Sequence, residues 1–133
     1  MRKLIVILSI VSLPLWLLQC TSNERALNKK LQEMATNLNE SVPIMLDQYT
    51  RFEGASVTSD NKFRYQYTVL NTPNPDSLVE NGLQSLKENI EKEFFSNPDL
   101  RIFKENNVVI EYVYNDENGR TIRSLQITPP DYQ

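Results

Sequence analysis

Residues 108–128 read VVIEYVYNDENGRTIRSLQIT, and apolar side chains alternate with polar ones on both sides of Asn118-Gly119. Asn-Gly is the favoured pair for a two-residue type I′ turn. A turn there pairs Glu117 with Arg120, Tyr112 with Leu125 and Ile110 with Ile127. The apolar members of those pairs share one face by the period of two along a strand. Turn chemistry and burial pattern therefore agree on a hairpin, Val108–Asn115 against Arg120–Thr128, and with it on an antiparallel sheet. The opposite face carries Val109, Glu111, Val113, Ile122, Ser124 and Gln126. Val109, Val113 and Ile122 are apolar where water is expected. If no helix covers them they form a patch for a partner; strand propensity alone also accounts for them. Asp116-Glu117-Asn118-Gly119 lacks the alternating oxygen ligands and closing Glu of a calcium loop, so no metal is expected there.

Upstream, Asp60-Asn61 suits a second hairpin between Arg51–Thr58 and Lys62–Leu70. A two-residue loop pairs Ser56 with Tyr65, Gly54 with Tyr67 and Phe52 with Val69, so that a Tyr ring covers a bare glycine. Tyr65, Tyr67, Tyr112 and Tyr114 then lie at alternate strand positions. Such a set fills a core or stacks on a sugar or peptide, core filling being the commoner use.

Two helices complete the pattern. Leu27, Leu31, Met34, Ala35 and Leu38 make one apolar stripe, predicting a helix over 23–41 that Pro43 ends. Ser77-Leu78-Val79-Glu80 has the form of a capping box. It opens a helix whose stripe is Val79, Leu83, Leu86, Ile90 and Phe94. Pro98 suits the start of a short turn of helix through Phe103. Glu88, Glu91 and Glu93, interleaved with Lys87 and Lys92, read as a solvated helix face rather than as acid–base machinery. The order is α-β-β-α-β-β. The fold class expected is α+β, a four-stranded antiparallel sheet with helices on one face.

Composition narrows the chemistry. The chain has 133 residues, no histidine, one cysteine and three glycines, at 54, 82 and 119. Lack of histidine removes the commonest general base and metal ligand. No glycine-rich phosphate loop is present, and no cofactor is expected. All 17 acidic residues follow residue 19, against 12 of the 14 basic ones, so that part carries a net charge of −5. An acidic chain without a basic run argues against nucleic acid as a partner.

The N-terminus has the layout of a secretory signal: Arg2 and Lys3, an uncharged run from Leu4 to Leu18, then LLQCTS around Cys20. Fifteen residues of helix reach ~22 Å, short of the ~30 Å hydrocarbon core. Leu17 and Cys20 resemble the lipobox of bacterial lipoproteins, with Gln19 where that pattern has a small residue. The resemblance implies cleavage after residue 19, a lipid on Cys20 and one domain over 20–133. Thr21, in place of an Asp that would favour the inner membrane, implies the outer one. Ordinary cleavage, for instance after Ser22, would instead release a periplasmic or secreted domain. Pro43-x-Met45-x-Asp47-x-x-Thr50 with Tyr65-x-Tyr67-Thr68 resembles small uncharacterised bacterial envelope proteins, which implies no specific activity. The function expected is a non-enzymatic, membrane-anchored envelope protein that binds or supports another envelope protein. The alternative is a soluble periplasmic or secreted domain that binds a small ligand or peptide, or acts as an inhibitor.

Overall fold

The computed structural model describes the backbone of residues 13–132 and the side chains of residues 23–132. Residues 1–12 of the expected signal segment lie outside that description, as do the side chains of residues 13–19 and of Cys20, the expected lipid site. Helix α1 spans Leu13–Leu38 and passes into a 3-10 turn at Asn39–Ser41. It begins ten residues before the expected start because no Pro or Gly interrupts 15–38, and Pro14 falls in the first turn, where it is tolerated. The remaining elements are β1 (Ile44–Met45), β2 (Thr50–Val57), β3 (Phe63–Val69), α2 (Pro75–Ser96), α3 (Arg101–Glu105), β4 (Ile110–Asn115), β5 (Thr121–Ile127) and α4 (Pro129–Tyr132). Among the described residues, no helix is long and apolar enough to cross a membrane.

The fold is α+β, and its sheet has five strands in the order β1-β2-β3-β4-β5. Two features correct the expected sheet of four antiparallel strands. Ile44–Met45 adds an edge strand, with Ile44 opposite Phe52. The central pair, β3 and β4, is parallel. Between them α2 carries the chain back to the end where β3 started, and a crossover of that length returns a strand parallel to its neighbour.

Both hairpins close on three residues rather than two. At the second, Gly119 donates to the Asp116 carbonyl and Asp116 N–H to Arg120. Gly119 alone of the turn pair has positive φ, +82°, whereas a type I′ turn needs both. Asp116 imposes this form, since its Oδ1 accepts from the N–H groups of Asn118 and Arg120. A register shift near Asn115 absorbs the extra residue. The expected pairs Tyr112–Leu125 and Ile110–Ile127 are present. In the first hairpin Asn61 takes the positive-φ position.

Its register then shifts at Glu53, so that Phe52 opposes Tyr67 and Gly54 opposes Gln66. The expected pairing of Gly54 with Tyr67 does not occur. The bulge reverses the parity of β2 and turns Ala55 and Val57, rather than Gly54 and Ser56, onto the face of Phe52. That face meets the helices. Leu31 and Ala35 of α1, Ile90 and Phe94 of α2 and Phe103 of α3 join Phe52, Phe63, Ile110 and Ile127 in one core. The tail closes it: Tyr132 stacks on Phe94 at 4.6 Å, and its hydroxyl donates to the Val108 carbonyl at 2.8 Å.

The capping box is not used. Pro75 occupies the first turn of α2 with Asn74 before it, which starts the helix before Ser77 can cap it, and Glu80 pairs instead with Arg123. On the uncovered face of the sheet Glu111 is only 8% exposed. It accepts from Arg64 at 2.8 Å and Gln126 at 3.2 Å, with Lys62 at 3.7 Å.

Candidate functional site

Parallel, in-register pairing sets Tyr65 directly beside Tyr112 and Tyr67 beside Tyr114. Neighbouring strands lie ~4.8 Å apart, and the rings inherit that spacing. Tyr65 and Tyr112 stack at 5.1 Å and 15°, Tyr67 and Tyr114 at 4.9 Å and 14°. Tyr67 and Tyr112 continue the row at 6.4 Å and 9°. The result is a ladder of four near-parallel rings on the helix side of the sheet. All four tyrosines are half-buried, and none of their hydroxyls has a hydrogen-bond partner among the described residues. Tyr65, Tyr67 and Tyr112 pack against the core, so the ladder leaves open its phenol groups and the Tyr114 ring.

Burial pushes every one of these phenols up, Tyr65 and Tyr114 to about 12. Tyr67 and Tyr112 are raised further, burial again leading and the neighbouring phenols adding to it. Two carboxylates contribute as well: Glu93 acts on Tyr112 and Asp47 on Tyr114. The ladder is thus neutral at physiological pH and acidic at its margins. Such a surface can bind apolar side chains, donate hydrogen bonds and attract a cation.

One end of the ladder opens into a groove of about 150 Å³. Thr50, Val69 and Tyr114 line one side; Leu78, Val79, Gly82, Leu83 and Leu86 of α2 line the other. Gly82 is the informative member. A glycine inside a helix costs about 1 kcal/mol relative to alanine. Steric need does not explain it, since a Cβ built there meets nothing within 4 Å. The Thr50 carbonyl accepts from the Leu46 N–H at 2.9 Å, and Leu46 is itself 57% exposed.

The structure separates the patch residues read from sequence. Val113 lies between Gln66 and Ser124 in the uncovered face and is buried to 9% exposure. Ile122 sits at the register shift and Val109 at the entrance of β4, both half-buried. No helix covers Val113, yet flanking polar side chains do, and the three do not form an exposed apolar patch. One groove feature went unassigned in the sequence: a glycine inside an otherwise strong helix. It was visible as an oddity, and its place opposite Thr50, Val69 and Tyr114 needed the sheet order.

Residues 26–123 match the model of the family described as Domain of unknown function (DUF8479). No curated protein matches the chain. Three solved structures resemble it. A Pseudomonas aeruginosa protein described as secreted superposes with a TM-score of 0.70 at 13% identity, over 83% of this chain and 96% of that one. The pilotin EpsS of the Vibrio vulnificus type 2 secretion system gives 0.65 at 15%, over 85% and 97%. The type II secretion system pilotin AspS of Vibrio cholerae gives 0.58 at 14%, over 84% and 97%. At these identities the likeness is one of fold.

Proposed function

We propose that this chain, which belongs to the family described as Domain of unknown function (DUF8479), is a non-enzymatic envelope protein that holds a segment of another envelope protein in the groove beside the tyrosine ladder. The observation that carries this reading is the Gly82 notch: a helix interior left bare against an apolar groove that nothing among the described residues fills. The segment is an amphipathic one. Its apolar side would lie over Leu78, Leu83 and Tyr114, and Lys or Arg at its flank would meet Asp47 and Glu93. Two of the three similar folds are pilotins of type 2 secretion systems, which supports an envelope role. Anchoring through a lipid on Cys20, at the outer membrane, is part of the same reading.

Photo-crosslinking tests the groove. A benzophenone amino acid in place of Leu78 should form an adduct with an envelope protein in intact cells, and the same group in place of Ser124, on the uncovered face, should not. Gly82→Trp should abolish the adduct without lowering the melting temperature. Equal adducts from both positions, or an adduct that survives Gly82→Trp, would remove the groove from consideration. Anchoring has its own test in metabolic labelling with a fatty-acid analogue, which should mark the wild type and not Cys20→Ser. An unlabelled wild type rules it out.

A further inference from the structure

We infer that the end of the domain carrying Phe95 lies against the membrane surface, with the Phe95 ring in the lipid interface. Phe94 and Phe95 end α2 side by side and are used in opposite ways. Phe94 is buried against Phe103 and Tyr132, whereas Phe95 is 83% exposed, more than any other large apolar residue described. Lys104 places its ammonium 5.6 Å from the centre of the Phe95 ring. Arg101 and Lys104 line the hollow beside the ring, with Glu105 as the carboxylate among its lining residues. An exposed aromatic ring flanked by cations is the side-chain chemistry of the lipid headgroup region.

The occupant follows from where α1 leads. The start of its described side chains lies at this same end. Asn61 donates to the Glu24 carbonyl at 3.3 Å, and Asn28 donates to Thr58 and Asn61 at 3.2 and 2.8 Å. Glu24 and Leu27 share a hollow with Asn106 and Val109, directly after the helix that holds Lys104. Helix α1 continues without a break from Glu24 back through Cys20, which at ~1.5 Å per residue sets Cys20 only ~6 Å along the axis. A lipid there leaves no tether, so this end of the domain has to meet the bilayer. The groove lined by Thr50, Val69 and Tyr114 lies at the opposite end of the same strands and would face away from the membrane. The inference rests on attachment at Cys20.

Trp16 is the only tryptophan, so the double variant Trp16→Phe/Phe95→Trp carries a single reporter. The full chain is expressed in cells, purified from membranes and reconstituted into phosphatidylethanolamine–phosphatidylglycerol vesicles. Mass spectrometry of the same preparation reads the state of Cys20. With Cys20 acylated, the Phe95→Trp reporter should shift to the blue and lose emission to brominated acyl chains, and an Asn118→Trp reporter at the far turn should do neither. Acylated protein whose Phe95→Trp reporter is no more quenched than the Asn118→Trp one overturns the orientation and leaves anchoring intact. Unacylated Cys20 overturns the anchoring itself, and this inference with it.

Discussion

The side-chain amide of Asn39 closes two hydrogen bonds on the backbone of Ala55: its Nδ2 donates to the carbonyl at 2.8 Å, and its Oδ1 accepts from the N–H at 2.7 Å. Sixteen residues apart, the two meet where β2 bulges. Ala55 has Tyr65 as its partner on β3, but β1 reaches only as far as Phe52, and Asn39 replaces the strand that the outer edge of Ala55 lacks. It also explains Gly54. At φ +146°, a Cβ there would sit 2.8 Å from the Asn39 oxygen, so the glycine gives the amide its space.

Asn39→Ala should therefore cost about 1–3 kcal/mol, the penalty for leaving two backbone groups unsatisfied. Asn39→Asp keeps the acceptor and loses the donor, and should fall between. Gly54→Ala should be destabilised by about 1–3 kcal/mol from the backbone conformation alone, with the contact to Asn39 added. Urea unfolding followed by circular dichroism checks all three. An Asn39→Ala midpoint equal to wild type would show that the bulge stands without the amide.

Glu111 predicts the acid limb of stability. Burial pulls its carboxyl up, but hydrogen bonds from Gln126 and Arg64 and the charges of Arg64 and Lys62 outweigh it and hold the group below its ordinary value of 4.5. A depressed carboxylate stabilises the fold fully above the unfolded value and loses that contribution as pH falls through the folded one. Glu111→Gln should cost about 1–2 kcal/mol at pH 7. The gap from wild type should close as pH falls below 4.5. Denaturant titrations of both proteins across this range read it directly. A gap that stays constant with pH would assign the loss to packing instead of charge.

How far the sequence could be read follows the range of the interactions. The pairing of Tyr112 with Leu125 was legible because turn and period are local and agree. The bulge was not, because the residue that holds it, Asn39, sits at the end of α1, separated from β2 by Pro43 and an edge strand of two residues. The period of two placed Tyr65 with Tyr67, and Tyr112 with Tyr114, at alternate positions of their own strands from sequence alone. Parallel pairing, which stacks them as a ladder, depended on where the α2 crossover returns. Phe94 and Phe95 are indistinguishable as neighbours in sequence; only the position of Tyr132 decides which is covered. Val113, apolar on a solvent face, was a real oddity, but polar neighbours close over it.

The ladder sets an alkaline limit. Tyr65 and Tyr114 are raised to about 12, and Tyr67 and Tyr112 further, chiefly by burial. A raised phenol contributes stability that is complete below the unfolded value near 10 and is lost as pH climbs through the folded values. The fold should thus weaken steeply above pH 10. These phenols should ionise with unfolding, as a cooperative step in tyrosinate absorbance coincident with loss of ellipticity. Tyr65→Phe and Tyr114→Phe should each shift that step to higher pH. Independent ionisation well before unfolding would mean the ladder is open to water along its whole length.

Gly82 separates the requirements of folding from those of binding. Its position in α2 has open space around it, so Gly82→Ala should stabilise the domain by about 0.5–1 kcal/mol through helix propensity and a less flexible unfolded chain. A larger side chain gains no more stability than alanine and fills the groove that Leu78, Leu83 and Leu86 wall. Along the series Gly, Ala, Leu and Trp, melting temperature should rise once and then level off. Crosslinking through Leu78 should fall with side-chain volume. The two trends have different causes and must diverge. If stability and crosslinking instead rise or fall together, the glycine is there for the fold, and the notch has no bearing on a partner.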